Sequence, residues 1–197
     1  MIVLDKTRLN GQLILKNHTL VLLTKQAKLI IENKKNKPSE PKHQEDKNMI
    51  KWRWLTFGEL STTELYELLQ LRAEVFIVEQ DCVYQDLDGK DQEALHLLGY
   101  QNEKLVAYIR LFSPQNENDP VVFGRVLSSP AVRGEGIGKK LIEEVNAFIE
   151  ESYPTSIIKI SAQDYLRKFY QSFGYEARGD IYDEDGIPHI AMYKTIT

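Results

Sequence analysis

One cysteine, Cys82, stands in 197 residues. No internal disulfide can form, which suits a reducing compartment and points to the cytoplasm. A lone thiol of this kind is more often a small buried hydrophobe than a nucleophile. No apolar run approaches the eighteen or so residues of a membrane span, and Met1–Asp5 lacks the basic-then-apolar layout of a secretory leader, so no membrane partner is expected. Four histidines and no HExxH leave no metal-ligand spacing, and no metal is expected. A basic excess is missing too, with 25 Lys/Arg against 29 Asp/Glu. Nucleic acid, which requires a basic face, is therefore excluded as a partner. Repeats are also lacking.

The charge is divided unevenly. Residues 1–48 carry ten Lys/Arg against five Asp/Glu, and residues 49–197 carry fifteen against twenty-four. Residues 33–48 contain no apolar residue and two prolines, the composition of a linker. Before them, Gln12–Lys16 and Thr19–Thr24 flank Asn17-His18 and could pair as a hairpin. Met49 then opens a fresh run with strand alternation. The chain thus divides into an N-terminal extension, 1–48, to which no activity is assigned, and a working domain, 49–197. The acidic body would suit a cationic amine through steering.

Within the domain the periodicities alternate. Ser61-Thr62-Thr63-Glu64 is a capping box, followed by Leu65, Leu68, Leu69, Val75 and Phe76 at helical spacing. Ala94–Tyr100 and Lys104–Phe112 read as strands around Gln101-Asn102-Glu103. Val121–Leu127 is a further strand. Ile137, Leu141, Ile142, Val145, Phe148 and Ile149 mark one face of a helix. Thr155–Ser161 is a β-branched strand, and Gln163–Phe173 a helix stopped by Gly174. Tyr175–Tyr182 and Pro188–Lys194 close the chain as strands around Asp183-Glu184-Asp185-Gly186. The class is α/β, with antiparallel hairpins and one crossover helix.

The segment between strand and helix, Arg133-Gly134-Glu135-Gly136-Ile137-Gly138, carries the most information. The first amides of a helix lack intrahelical partners and point beyond its end. Glycines let the backbone close on a phosphate, and Arg133 adds a permanent charge. The segment reads as a diphosphate cradle. A P-loop is disfavoured, because Arg133 replaces its first Gly and Lys140 its Ser/Thr. A dinucleotide fingerprint is disfavoured too, because its third glycine would be misplaced. R-x-x-G-x-G remains, and it resembles the acetyl-CoA motif of the GNAT N-acetyltransferase superfamily.

Other segments extend the resemblance. Gly124 to Gly138 resembles the family's motif A, and Ala162 to Tyr175 its motif B. Leu71 to Gln80, then Tyr84, Asp88, Asp91 and His96, resemble the first helix and following loop of the ElaA-like branch. Asp183 to Met192 resembles that branch's C-terminal signature. The resemblance covers about residues 50 to 195. It implies the GNAT fold, a central mixed, mostly antiparallel sheet of six or seven strands split between the fourth and fifth and flanked by about four helices. It also implies transfer of acetyl from acetyl-CoA to a primary amine, whether of a small molecule or a peptide, by a monomer or homodimer.

Such chemistry needs three things from the chain. The cradle is Arg133, Gly134, Glu135, Gly136, Ile137 and Gly138. A strand edge for the pantetheine amides is offered by Val126, Leu127 and Ser128, just before Pro130. A proton donor for the leaving thiolate is offered by Tyr170, whose phenol has an ordinary pKa of about ten. Position alone favours placing Tyr170 in a core stripe with Leu166, Phe169 and Phe173. The family's motif B implies the donor role. Family members commonly use a Glu or Asp as base, and Glu79 is first among Glu79, His96, Asp185 and His189. Arg125, His96 and His189 are candidates for the acceptor site. The rival reading is a sensor or interaction module that binds acyl-CoA without turnover.

Overall fold

The computed structural model describes residues 27–33, 49–116 and 118–196. The expected hairpin lies outside them, as does the linker apart from Asn33. Residues 27–33 are helical (α1). Ala27 and Ile31 are buried in the main core cluster, and Ile30 packs on its edge. The extension therefore contributes to the core of the domain.

The capping box forms as the spacing predicts. The Ser61 hydroxyl accepts from the Glu64 amide at 3.2 Å, and the Glu64 carboxylate accepts from the Ser61 amide at 2.9 Å. This starts α2, Thr62–Arg72. The chain does not stop there but continues as a π-helical stretch, Ala73–Glu79. The wider winding brings Val75, Phe76, Glu79 and Gln80 to one cleft wall. π segments recur at functional sites.

Among the described residues eight strands form one sheet: β1 (Lys51–Thr56), β2 (Leu95–Gln101), β3 (Lys104–Phe112), β4 (Val121–Ser128), β5 (Ile157–Gln163), β6 (Glu176–Ala177), β7 (Tyr182–Glu184) and β8 (Ile187–Thr195). Their spatial order is β1-β2-β3-β4-β5-β8-β6, with β7 also on β8. The count exceeds six or seven because the expected strand Tyr175–Tyr182 is broken into β6 and β7, separated by Gly179 at φ +82°. Every pairing is antiparallel except β4–β5. The β7–β8 connection turns on Asp185 and Gly186, both at positive φ, as an Asp-Gly hairpin turn requires.

The parallel pair is short. β4 and β5 meet only at Val121–Ile158 and Val122–Lys159, and their remaining residues do not pair with each other. A bulge deflects β4 at the same place. Arg125 and Val126 together stand opposite Ile109 of β3, and Arg125 has φ +53°. An extra residue of this kind is left out of the ladder and bends its strand. The sheet splits where the family resemblance implied.

Helices cover both faces. The stripe of α3 (Ile137–Ser152) is buried at Ile137, Leu141, Ile142, Val145, Phe148 and Ile149, as the periodicity required. Each such side chain contributes about 1.5–3 kcal/mol by leaving water. It packs in one cluster with Ala107, Ile109 and Leu111 of β3. Tyr108, from the other face of β3, joins Leu68, Leu71, Val75 and Phe76 in a second cluster. The helix expected over Gln163–Phe173 is shorter. β5 runs on to Gln163, a 3-10 turn spans Asp164–Leu166, and α4 covers only Arg167–Gln171.

Candidate active site

The split opens a cleft of about 680 Å³. Its lining includes Val126, Leu127 and Ser128 from β4, Glu79 from the π stretch, and Arg125, Arg133, Tyr170 and His189. With Asp185, eight residues named separately along the sequence as strand edge, donor, base and acceptor candidates thus share one cavity with the cradle's arginine.

The cradle sits at the start of α3. Gly134 and Gly136 have φ +84° and +75°, conformations that cost other residues strain. A Cβ added at either would meet no atom within 4 Å, so the space above the loop is open. No side chain caps α3, whose N-cap is Gly136. The first amides of a helix have no intrahelical partner, which suits them to an anion. Gly138 lies against Phe169, the neighbour of Tyr170, with 4.0 Å from an added Cβ to the ring. Glu135 turns aside and accepts from Gln101 Nε2 at 3.2 Å.

Arg133 and Glu79, assigned to separate tasks by sequence, are bonded to one another. Arg133 Nη2 donates to Glu79 Oε2 at 2.7 Å, and Nη1 donates to Oε1. The hydrogen bond from Arg133 holds the Glu79 carboxyl below the usual carboxylate range. A carboxylate so held is a weak base at neutral pH.

Tyr170 is 4 % exposed. Its ring meets Phe169 and Tyr175 edge-on at 5.2 and 5.9 Å. The core-stripe reading holds for the ring. The ring is core, while the hydroxyl makes no hydrogen bond among the described residues and the side chain lines the cleft. Burial pushes the phenol well above its ordinary pKa, so it keeps its proton through the neutral range.

Arg125 does not stand free. It donates to Asp86 Oδ1 at 2.7 Å and lies over the Tyr84 ring at 5.6 Å. Asp86 also takes Arg72 Nε at 2.7 Å. Asp91 takes Arg72 at 2.8 Å and Arg110 at 2.9 Å, and Asp88 takes Arg110 at 2.7 Å. Three arginines from α2, β3 and β4 thereby hold three aspartates of the 81–91 loop. Hydrogen bonds from Arg110 lower the Asp88 pKa. At Asp91, burial acts upward, but Arg110 and Arg72 outweigh it and the net direction is down.

His96 is a correction. It is fully buried and does not line the cleft. Its Nε2–H donates to the Asp91 carbonyl at 3.0 Å, and its Nδ1 accepts from Tyr108 at 2.8 Å. Burial first, aided by the nearby arginines, lowers its pKa and keeps it neutral. It secures the loop and has no access to an acceptor. His189 does reach the cleft. Its Nδ1–H donates to the Ile187 carbonyl at 2.8 Å, and its ring stacks on Tyr182 at 6.2 Å.

Sequence reasoning missed Arg110, Ser161, Tyr165 and Glu184, all in the lining. Ser161 alternates with buried Ile160 and Ala162 on β5, and that alternation was the available signal. Among the described residues no group of three His, Cys, Asp or Glu could hold a metal. No helix among them is long and apolar enough to cross a membrane.

A sheet split after two parallel pairs, with an open glycine cradle at the start of the following helix, defines an acyl-CoA N-acyltransferase fold. Residues 60–196 match the family model described as acetyltransferase (GNAT) domain, and the chain belongs to the GNAT acyltransferase family, in its ElaA-like branch. Protein ElaA of Escherichia coli K12 is 45% identical over 150 residues, which span 75% of this chain and 98% of that one. Its crystal structure superposes with a TM-score of 0.70, covering 74% of this chain and 99% of that chain at 44% identity. An acyl-CoA N-acyltransferase from Pseudomonas aeruginosa is 41% identical, with TM-score 0.68, over 73% of this chain and 99% of that one. A UPF0039 protein of Synechocystis is 44% identical over 144 residues, 73% of this chain and 94% of that one.

Proposed function

We propose that this protein transfers an acetyl group from acetyl-CoA to a primary amine in the cytoplasm, by direct attack and as a monomer or homodimer. The observation that carries the reading is the Tyr170 hydroxyl, unpartnered among the described residues, in a cleft that it shares with Arg133, the residue before an open glycine turn. The diphosphate would lie on the amides of Gly136 to Gly138, with Arg133 exchanging Glu79 for a phosphate oxygen. The pantetheine amides would pair with the β4 edge at Val126–Ser128, which β5 leaves open.

The reaction follows from that seating. The neutral amine attacks the thioester carbonyl, forming the C–N bond, while the bulged β4 backbone offers donors to the developing oxyanion. The C–S bond then breaks. The departing thiolate takes the Tyr170 proton, and the surplus proton of the attacking nitrogen passes to the tyrosinate, which restores the phenol and leaves no net proton from a neutral amine. Binding along the whole cofactor supplies proximity.

The test combines calorimetry of CoA binding with free-thiol release from acetyl-CoA against small amines, polyamines and peptide N-termini. Amine-dependent thiol release supports the reading. CoA binding with no turnover of any amine would leave a non-catalytic acyl-CoA sensor in its place.

A further inference from the structure

The charged residues that line the cleft are Arg110, Arg125, Arg133, Glu79, Glu184 and Asp185. Three positive and three negative charges suggest balance, but their partners decide what a ligand meets. Arg110 and Arg125, with Arg72 behind them, are matched one for one by Asp86, Asp88 and Asp91. Arg133 is matched by Glu79. Glu184 and Asp185, at the tip of the β7–β8 hairpin, have no cation among the described residues. Glu184 only accepts from the Ser161 hydroxyl at 2.7 Å, and Ser161 in turn lies 2.5 Å from the Tyr182 hydroxyl. The hairpin end of the cleft thus presents two uncompensated negative charges. The hairpin is tied in place there, since the Cys82 thiol donates to the Asp185 carbonyl at 3.2 Å.

A second observation concerns His189, opposite Gln163 on β8 and 9 % exposed. The Ile187 carbonyl can only accept, so His189 Nδ1 carries the proton of the neutral ring. The lone pair is then on Nε2, which has no partner among the described residues although the side chain lines the cleft. A buried ring nitrogen with a fixed tautomer and an open lone pair is suited to take a proton from a ligand.

We infer that the acceptor is a primary amine bearing a second positive charge, with its far cation against Glu184 and Asp185 and its reacting nitrogen beside His189. This rests on the acetyl-to-amine reading above. The incoming ammonium gives one proton to His189 Nε2, which leaves a neutral amine and an imidazolium. The amine then attacks the thioester carbon, and CoA leaves with a proton from Tyr170. The imidazolium returns its proton to solvent, so each turnover of an ammonium releases one proton net.

The test uses the full chain, acetyl-CoA and three amines of matched length: 1,4-diaminobutane, butylamine and 4-aminobutanoate. Thiol release should give kcat/KM in that order, with roughly tenfold between the first two from the facing charge. The double variant Glu184→Gln, Asp185→Asn should collapse the order. His189→Ala should lower kcat for the diamine by roughly 10²–10⁴ at unchanged CoA affinity, and added imidazole should restore part of it. Equal kcat/KM for the three amines, or an order that survives in the double variant, would overturn the charged acceptor. A His189→Ala enzyme of full rate, or one that imidazole does not rescue, would overturn the role of His189. Thiol release with no amine of the wider panel would instead sink the acetyl-to-amine reading, and this inference with it.

Discussion

Two sets of arginine–carboxylate bonds face the same cleft under opposite conditions. The Arg72, Arg110 and Arg125 set is built around Arg72 at 0 % exposure, and most of its members are buried. The Arg133–Glu79 pair leaves its side chains 45 % and 37 % exposed. Buried charges cannot be released without leaving a partner uncompensated in low dielectric. An exposed pair is worth little on its own and can be traded for a ligand. The buried set therefore builds the wall, and under the proposed function the exposed pair offers the replaceable contact. Guanidinium chemistry is the same in both, and burial separates their tasks.

The largest expected effect of breaking this contrast is on the buried side. Arg72→Met should destabilise the fold by about 3–5 kcal/mol, because Asp86 and Asp91 lose a buried partner. Chemical denaturation would measure it. The same set sets an acid limit. Asp88 and Asp91 have folded pKa values below their unfolded value of about 3.9. Their stabilisation is complete above that value and disappears as pH falls through the folded values. The midpoint of urea unfolding should fall steeply below about pH 4, and Arg110→Met should flatten that fall.

On the exposed side the effects belong to binding. Arg133→Ala should weaken CoA binding by at least tenfold, given about 1.5–3 kcal/mol for a charge-assisted phosphate contact, with little change in unfolding. Calorimetry showing equal CoA affinity would make the pair merely structural. Glu79→Gln is expected to move stability by less than about 1 kcal/mol and to leave CoA binding at least as tight, since Arg133 is released. Weaker binding would mean that Glu79 positions Arg133 for the cofactor.

Truncation to residue 49 sharpens the comparison from outside the cleft. Ala27 and Ile31 are 2 % and 3 % exposed, so removing them should cost about 2–4 kcal/mol by core exposure while CoA affinity holds. A sharp loss of affinity would show that α1 also shapes the site.

What was legible in the sequence follows the range of the forces involved. Local signals were reliable. The Ser61/Glu64 box, the α3 stripe and the Asn102 and Asp185-Gly186 turns are each decided within a few residues. The π continuation of α2 was not visible, although the irregular step from Leu69 to Val75 sits where regular helical spacing ends. Arg133 and Tyr170 were named from motifs, and their meeting in one cleft depends on a strand divergence that only the fold displays. Glu79 and Arg133 lie 54 residues apart, and nothing local announces that one would hold the other. His96 and His189 are indistinguishable as letters. One is sealed beneath Tyr108 and the other is open at Nε2, a difference of burial and partner geometry.

The central claim is that Tyr170 is buried for its ring and functional for its hydroxyl. Tyr170→Phe keeps the ring contacts with Phe169 and Tyr175 and removes only the oxygen. Single-turnover thiol release from acetyl-CoA, measured beside CoA calorimetry, tests this most directly. The account predicts CoA affinity within a few-fold of wild type and a rate lower by roughly 10²–10⁴. Turnover equal to wild type from about pH 6 to pH 9, where the wild-type phenol stays protonated, would contradict it.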